Sequence, residues 1–312
     1  MSPPKAGEKE ALLILSLRET NLFILERSGK TNLFMIGVFL TSIGTLFEEI
    51  FDTIGKYKHV QGEQSIYTMG FLSLLGTSLF FLALMVYQRS LFHFSLASLP
   101  TFIPRVILSI VQEYITIAAI MKADRTTFGF IRIGTIPLLL MVDLVLGYSL
   151  GISQIVGIGL ILLTLIILFE NRVLDKKGIG LVLFSTINAV VVISLYKYDI
   201  TYFNSVAAEQ GIVSGILAML FLWGAVYIAK ENPLAFLTKP IFLVQAGSQT
   251  IAGILDSFAY VFAPASIIVA AKRSSAMVWT IVSGNIYFRE THARAKIIAV
   301  AFLVAGILLL VV

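Results

Sequence analysis

GIGLILLTLIILF, residues 157–169, runs without a single charge, and AVAFLVAGILLLV, residues 299–311, repeats its character. Sliding the chain along itself by about 141 to 143 positions lays the first run on the second. The same shift brings Lys56-Tyr57 onto Lys197-Tyr198, Gly70 onto Gly211, and Glu113 within a residue of Asp256. Continuous apolar runs of this kind are helical spans. Barrel strands would alternate polarity over about ten residues, and an unpaired backbone group in hydrocarbon costs several kcal/mol, so each span must bond within itself. A repeat made of such spans is the usual signature of a carrier whose halves move around a central site.

Composition agrees. Only 13% of the 312 residues are charged and 58% are hydrophobic, at a mean hydropathy of +0.93. A soluble domain carries roughly 25% charged residues to cover its wet surface, so a soluble fold is excluded. The chain has no cysteine, which removes disulfides, thiolate metal sites and cysteine nucleophiles together. His59, His93 and His292 fall in connecting segments without ligand partners at helical spacing, so no metal or other cofactor is expected. The net charge of +5 is scattered over loops, suits contact with anionic lipid headgroups, and does not form a nucleic-acid-binding face.

The pattern predicts an all-α polytopic membrane protein with ten transmembrane helices in two inverted five-helix repeats. The spans are expected near 33–55, 66–88, 101–121, 128–147, 154–170, 179–199, 206–229, 241–262, 274–288 and 294–312. Residues 1–31, with five basic and four acidic residues around two short apolar runs, read as an N-terminal tail or an interfacial helix. The first repeat is 32–170 and the second 178–312. A charged link with Asp175, Lys176 and Lys177 separates them. Five spans per half is an odd number, so the second copy must be upside down relative to the first. Gly157, Gly159, Gly178, Gly180 and Gly306 are placed for close helix packing. Basic residues divide ten to twelve between the two sides, which leaves orientation open.

Charge within a span costs about 2.5–3.5 kcal/mol even on a lenient insertion scale, so each instance asks for a reason. Glu113, Asp256 and Arg132 fall well inside spans. Glu113 and Asp256 are the candidates to meet a substrate amine or take up a coupling proton. Arg132, Lys272 and Arg273 are the candidates for anion contacts, because the guanidinium fork donates two parallel bonds to a carboxylate or phosphate. Glu49 on the first span and Lys197 at the end of the sixth complete the proposed substrate-binding set. Glu48, Asp52, Asp143, Lys197 and Asn285 also admit a plainer reading, in which side chains near span ends snorkel to headgroups. Lys272 and Arg273 are read as opening the ninth span. No GxxxxGK[ST] loop, HExxH, GxSxG or nucleophile–histidine pair occurs, so an enzyme or ATP-driven pump is not expected.

These residues resemble a known group. The ordered set of KRSSAMVWTIVSGNIYFRE at 272–290 with its closing Glu290, Pro137 in the fourth span, the glycine-marked 157–168, and Lys56 and Lys197 closing spans one and six is similar to the EamA-type branch of the drug/metabolite transporter superfamily. The likeness runs over about residues 33–312. Gly147-Tyr148 stands where that branch often has Gly-Glu, the first span lacks its tryptophan-glycine pair, and Glu48-Glu49 is unusual there. The resemblance implies a multi-pass protein of a prokaryotic plasma membrane. It would export a small polar metabolite such as an amino acid by alternating access, with a coupling proton or a counter-substrate. The basic pair also resembles that of the sugar-phosphate and nucleotide-sugar carriers of the same superfamily, which implies an exchanger of phosphate-bearing solutes as the alternative. A third reading is a membrane-embedded protein that moves no solute. Whether two copies pair as a homodimer is left open.

Overall fold

The computed structural model describes residues 29–88, 92–123, 125–147, 149–170, 178–288 and 293–311. The readings of residues 1–28, the link 171–177, Tyr148 and Glu290 lie outside these, as does the side chain of Asn285. The described residues are helical with short connections and contain no strand. In chain order the helices are α1 (Gly29–Val60), α2 (Ile66–Tyr87), α3 (Leu99–Lys122), α4 (Arg125–Arg132), α5 (Thr135–Val145), α6 (Ile152–Glu170), α7 (Ile179–Tyr202), α8 (Val206–Trp223), α9 (Pro233–Phe236), α10 (Pro240–Phe262), α11 (Ala265–Phe288) and α12 (Ala293–Val311). Five stretches are long and apolar enough to cross a bilayer: Leu33–Val60, Ile66–Tyr87, Leu96–Lys122, Ile179–Tyr202 and Val206–Ile228. This is the build of an α-helical membrane protein.

Side-chain distribution follows the same solvent logic. Large apolar residues face outward, among them Phe39, Ile107, Met219 and Leu308, each more than half exposed. The interior holds Thr41, Thr68, Ser73, Ser185, Gln245 and Glu209, all nearly inaccessible. A water-soluble protein buries its polar groups sparingly. A bundle in lipid has no reason to hide its leucines and good reason to pair its polar groups internally.

Local chemistry sets the helix ends. Ser65 and Ser205 cap α2 and α8, each accepting a bond from the backbone N–H three residues on, Thr68 and Ala208, at 3.2 Å. Glu231, just past α8, returns to the start of α2, accepting from Ser65 Oγ at 2.7 Å and from the Thr68 hydroxyl. Pro240 opens α10, where its missing N–H costs nothing. Where a single fourth span was expected, the chain is helical on both sides of a break at Ile133-Gly134.

The ninth span departs most from expectation. α11 begins at Ala265, so Lys272 and Arg273 stand two turns inside it and do not open it. Pro264 is the physical start signal, since proline cannot continue α10 and its carbonyl accepts from Ile268 N. Asp143, read as a group near a span end, is 1% exposed and caps this buried helix start, accepting from Ala265 N at 3.3 Å and Ser266 N at 2.6 Å.

The helices pack in pairs: α1 on α10, α3 on α7, α2 on α8 and α6 on α12. Small residues permit the closest approaches. A Cβ on Gly157 would lie 2.9 Å from Gly306 O, whereas Gly159 and Gly180 face open space. A Cβ on Gly70 would fall 2.2 Å from the Phe221 ring, and one on Gly211 would fall 3.3 Å from Phe81 Cβ. Gly70→Val should therefore force α2 off α8 and cost about 1–3 kcal/mol, the usual range for overpacking. A melting curve in detergent checks it; an unchanged midpoint would mean that this contact yields freely.

Candidate functional site

A half-open cavity of about 300 Å³ has walls from α2, α3, α4, α7, α8, α10 and α11. Its surface is more apolar than polar, and into it reach Ser73, Arg105, Gln112, Glu113, Arg132, Gln249, Asp256, Lys272 and Arg273. A smaller pocket of about 60 Å³ adjoins it, lined by Thr45, Glu48, Glu49, Asp52, Arg132 and Arg273 among others. Arg132 and Arg273 belong to both, so the two guanidinium groups stand where the spaces meet.

Each charge has a distinct setting. Glu113 accepts a hydrogen bond from Ser73 Oγ at 2.6 Å. Lys272 is held by two carboxylates, Asp256 Oδ2 at 2.5 Å and Glu48 Oε2 at 2.7 Å, and Thr41 donates to the other Asp256 oxygen at 2.8 Å. Arg132 lies over the Phe128 ring at 5.1 Å, a contact that suits a delocalised cation. The Nε atoms of Arg105, Arg132 and Arg273 and the Oε1 atom of Gln249 are buried without a hydrogen-bond partner. Buried polar groups are nearly always bonded, so among the described residues these four are the atoms of the cavity wall with capacity to spare. One wall is fully connected: Gln112 donates to Ser185 Oγ and Thr116 Oγ1, both at 2.9 Å, and accepts from Asn188 at 2.8 Å.

Of the residues singled out by sequence, the cavity brings together Glu113, Asp256, Arg132, Lys272 and Arg273. Glu49 lines the smaller pocket. Lys197 lies elsewhere. It is 5% exposed and donates to Tyr260 O at 2.5 Å and Ala263 O at 3.2 Å, closing the carboxyl end of α10, where backbone carbonyls go unpaired and a cation is favoured.

Sequence reading missed a second charged group. Arg105 and Glu209 form an ion pair with side chains 4% and 0% exposed. Asn204 donates to Glu209 at 2.6 Å, and Arg105 lies 4.5 Å from the Tyr196 ring centre. Both charged residues sit within the first two turns of their helices, where a headgroup contact is the ordinary reading. The available signal was that opposite charges occupy those turns of two largely apolar spans.

No family model and no curated protein matches this chain. Twenty-seven chains of solved structure do match. One of them, a crystal structure of a protein, aligns over 91% of this chain and 96% of its own length with a TM-score of 0.63 at 14% identity. Likeness at that identity is a likeness of fold.

Proposed function

We propose that this chain is a secondary carrier of a small polar metabolite, working by alternating access and built as ten spans in two inverted repeats of the drug/metabolite transporter kind. The observation that carries the reading is the 300 Å³ cavity, walled by helices of both halves and reached by charges of both signs within an apolar shell. Intramembrane charge costs too much to keep without a use.

Reciprocal contacts support the inverted repeat. Lys56, at the end of α1, donates to Ala123 O beyond α3 at 3.0 Å, and Lys197, at the end of α7, does the same for Ala263 O beyond α10. Gly70 meets Phe221 while Gly211 meets Phe81. α1 on α10 has its counterpart in α7 on α3. A twofold axis in the membrane plane exchanges each member of these sets with its partner.

The substrate that best suits the cavity carries a carboxylate for the Arg132 and Arg273 forks and an amine for Glu113, which favours an amino acid. Export is the direction that the family likeness implies. The phosphate-exchanger alternative would use Lys272 with Arg273, but Lys272 is already engaged by two carboxylates.

Glu113→Gln combined with Asp256→Asn is expected to lower flux in proteoliposomes by about a hundredfold, the scale of losing charge-assisted bonds. Unchanged flux with an unchanged pH profile would remove both carboxylates from the mechanism.

A further inference from the structure

The cavity ends near two polar contacts that occupy matching positions in the two halves. At one end is the Arg105–Glu209 pair with Asn204, which ties the start of α3 to the start of α8. Asn204 also donates to Ser98 Oγ at 3.0 Å, and Thr101 reaches Asp199 at 2.5 Å, so the end of α7 joins the same cluster. At the other end Gln64 and Gln245 exchange two amide bonds, at 3.3 and 3.2 Å, and are 2% and 0% exposed. They tie the α1–α2 connection to α10. A displacement of 140 residues carries Gln64 onto Asn204 and Arg105 onto Gln245.

These contacts lie at opposite ends of the bundle. From Arg105 the chain climbs α3 to Ala123, about 27 Å at 1.5 Å per residue. There Ala123 O meets Lys56, a residue of the α1 end that leads into Gln64. The cavity lies between: Arg105 lines it at one end, and Gln249, one turn from Gln245 on α10, lines it toward the other.

We infer that Arg105–Glu209–Asn204 and Gln64–Gln245 are the two gates of the carrier, one ionic and one neutral, each of which must part for the cavity to open on its side. The inference rests on the carrier reading. Both contacts are buried and made in this structure: the first joins α3 to α8, both walls of the cavity, and the second joins α10, a wall helix, to the connection that leads into α2, another. Their chemistry differs, and that difference biases the cycle. A charge-assisted pair holds about twice as strongly as a neutral one, so the empty protein opens more readily at the Gln64–Gln245 end.

The absence of native cysteine makes the test direct. Ser257→Cys places a reporter thiol in the cavity wall, read by a membrane-impermeant maleimide added to one face or the other of sealed vesicles of uniform orientation. Gln64→Ala with Gln245→Ala should raise labelling from one face about tenfold, the worth of two neutral hydrogen bonds. Arg105→Gln with Glu209→Gln should raise it from the opposite face by at least as much. Increases from the same face, or from neither, would overturn the assignment. A second measurement does not depend on weakening the fold. Gln64→Cys and Gln245→Cys, joined by a short bis-maleimide that adds to both thiols, should block labelling from the first face and stop net flux. Labelling that persists after cross-linking would also overturn it. If labelling obeys the gates while none of a panel of amino acids is moved, the gates stand and the amino-acid assignment falls.

Discussion

Glu209→Ala is expected to cost about 3–5 kcal/mol of stability, the range measured when one partner of a buried ion pair is removed. The reason is the charge left behind. Arg105 is 3% exposed and its Nε already lacks a partner, so without Glu209 the guanidinium loses its bonded carboxylate and keeps the Tyr196 ring and the more distant charge of Asp199. Asn204 loses its 2.6 Å acceptor in the same step. Removing both charges should hurt far less, because replacing a buried pair with apolar groups of similar volume is often neutral. The measurement is reversible unfolding in mixed detergent micelles for Glu209→Ala beside the Arg105→Met, Glu209→Leu double variant. A single variant as stable as the parent would mean that Arg105 finds water once its partner is gone.

Lys272→Met is expected to remove transport, with flux down about a hundredfold on the scale of lost charge-assisted bonds. Lys272 bridges two carboxylates, Glu48 on α1 and Asp256 on α10. Without it, like charges face one another in a poorly hydrated space, and α1 and α10 lose their shared cation on α11. Adding Asp256→Asn to the same chain should restore part of the flux, because one of the two opposed charges then disappears. Counterflow in proteoliposomes reads both. Flux that survives Lys272→Met, or an Asp256→Asn addition that makes matters worse, would show that Lys272 serves as a direct anion contact and does not act as a bridge.

The ion pairs explain why the site was only partly legible. Glu113 and Asp256 stood out because each interrupts a span away from its ends; Arg132, expected inside the fourth span, instead ends α4 at the Ile133-Gly134 break; all three line the cavity. Lys272 and Arg273 were misplaced because a basic pair before an apolar run looks like a span boundary. Their partners are what make an interior position tolerable. Asp256 lies sixteen residues away on another helix, and Glu48 comes from near the start of the chain. Arg105 and Glu209 are 104 positions apart, and each alone reads as a headgroup contact. Lys197 was noticed as a charge, yet its role as the closing cation of α10 depends on where α7 crosses that helix.

By itself, the amino-acid order settled that this chain is a set of lipid-soluble helices and where most of them begin and end. Apolar length, serine caps and prolines act within one segment, and hydrocarbon leaves the backbone no other way to satisfy its bonds. The doubled pattern and the in-span carboxylates also belong to that local information. Only the tertiary structure decided which buried charges neutralise one another, which guanidinium atoms are left without a partner, and which polar contacts tie the helices around the cavity together. Those outcomes depend on angstrom-scale distances between helices far apart in sequence, and the energy of a buried charge turns on its partner far more than on its own identity.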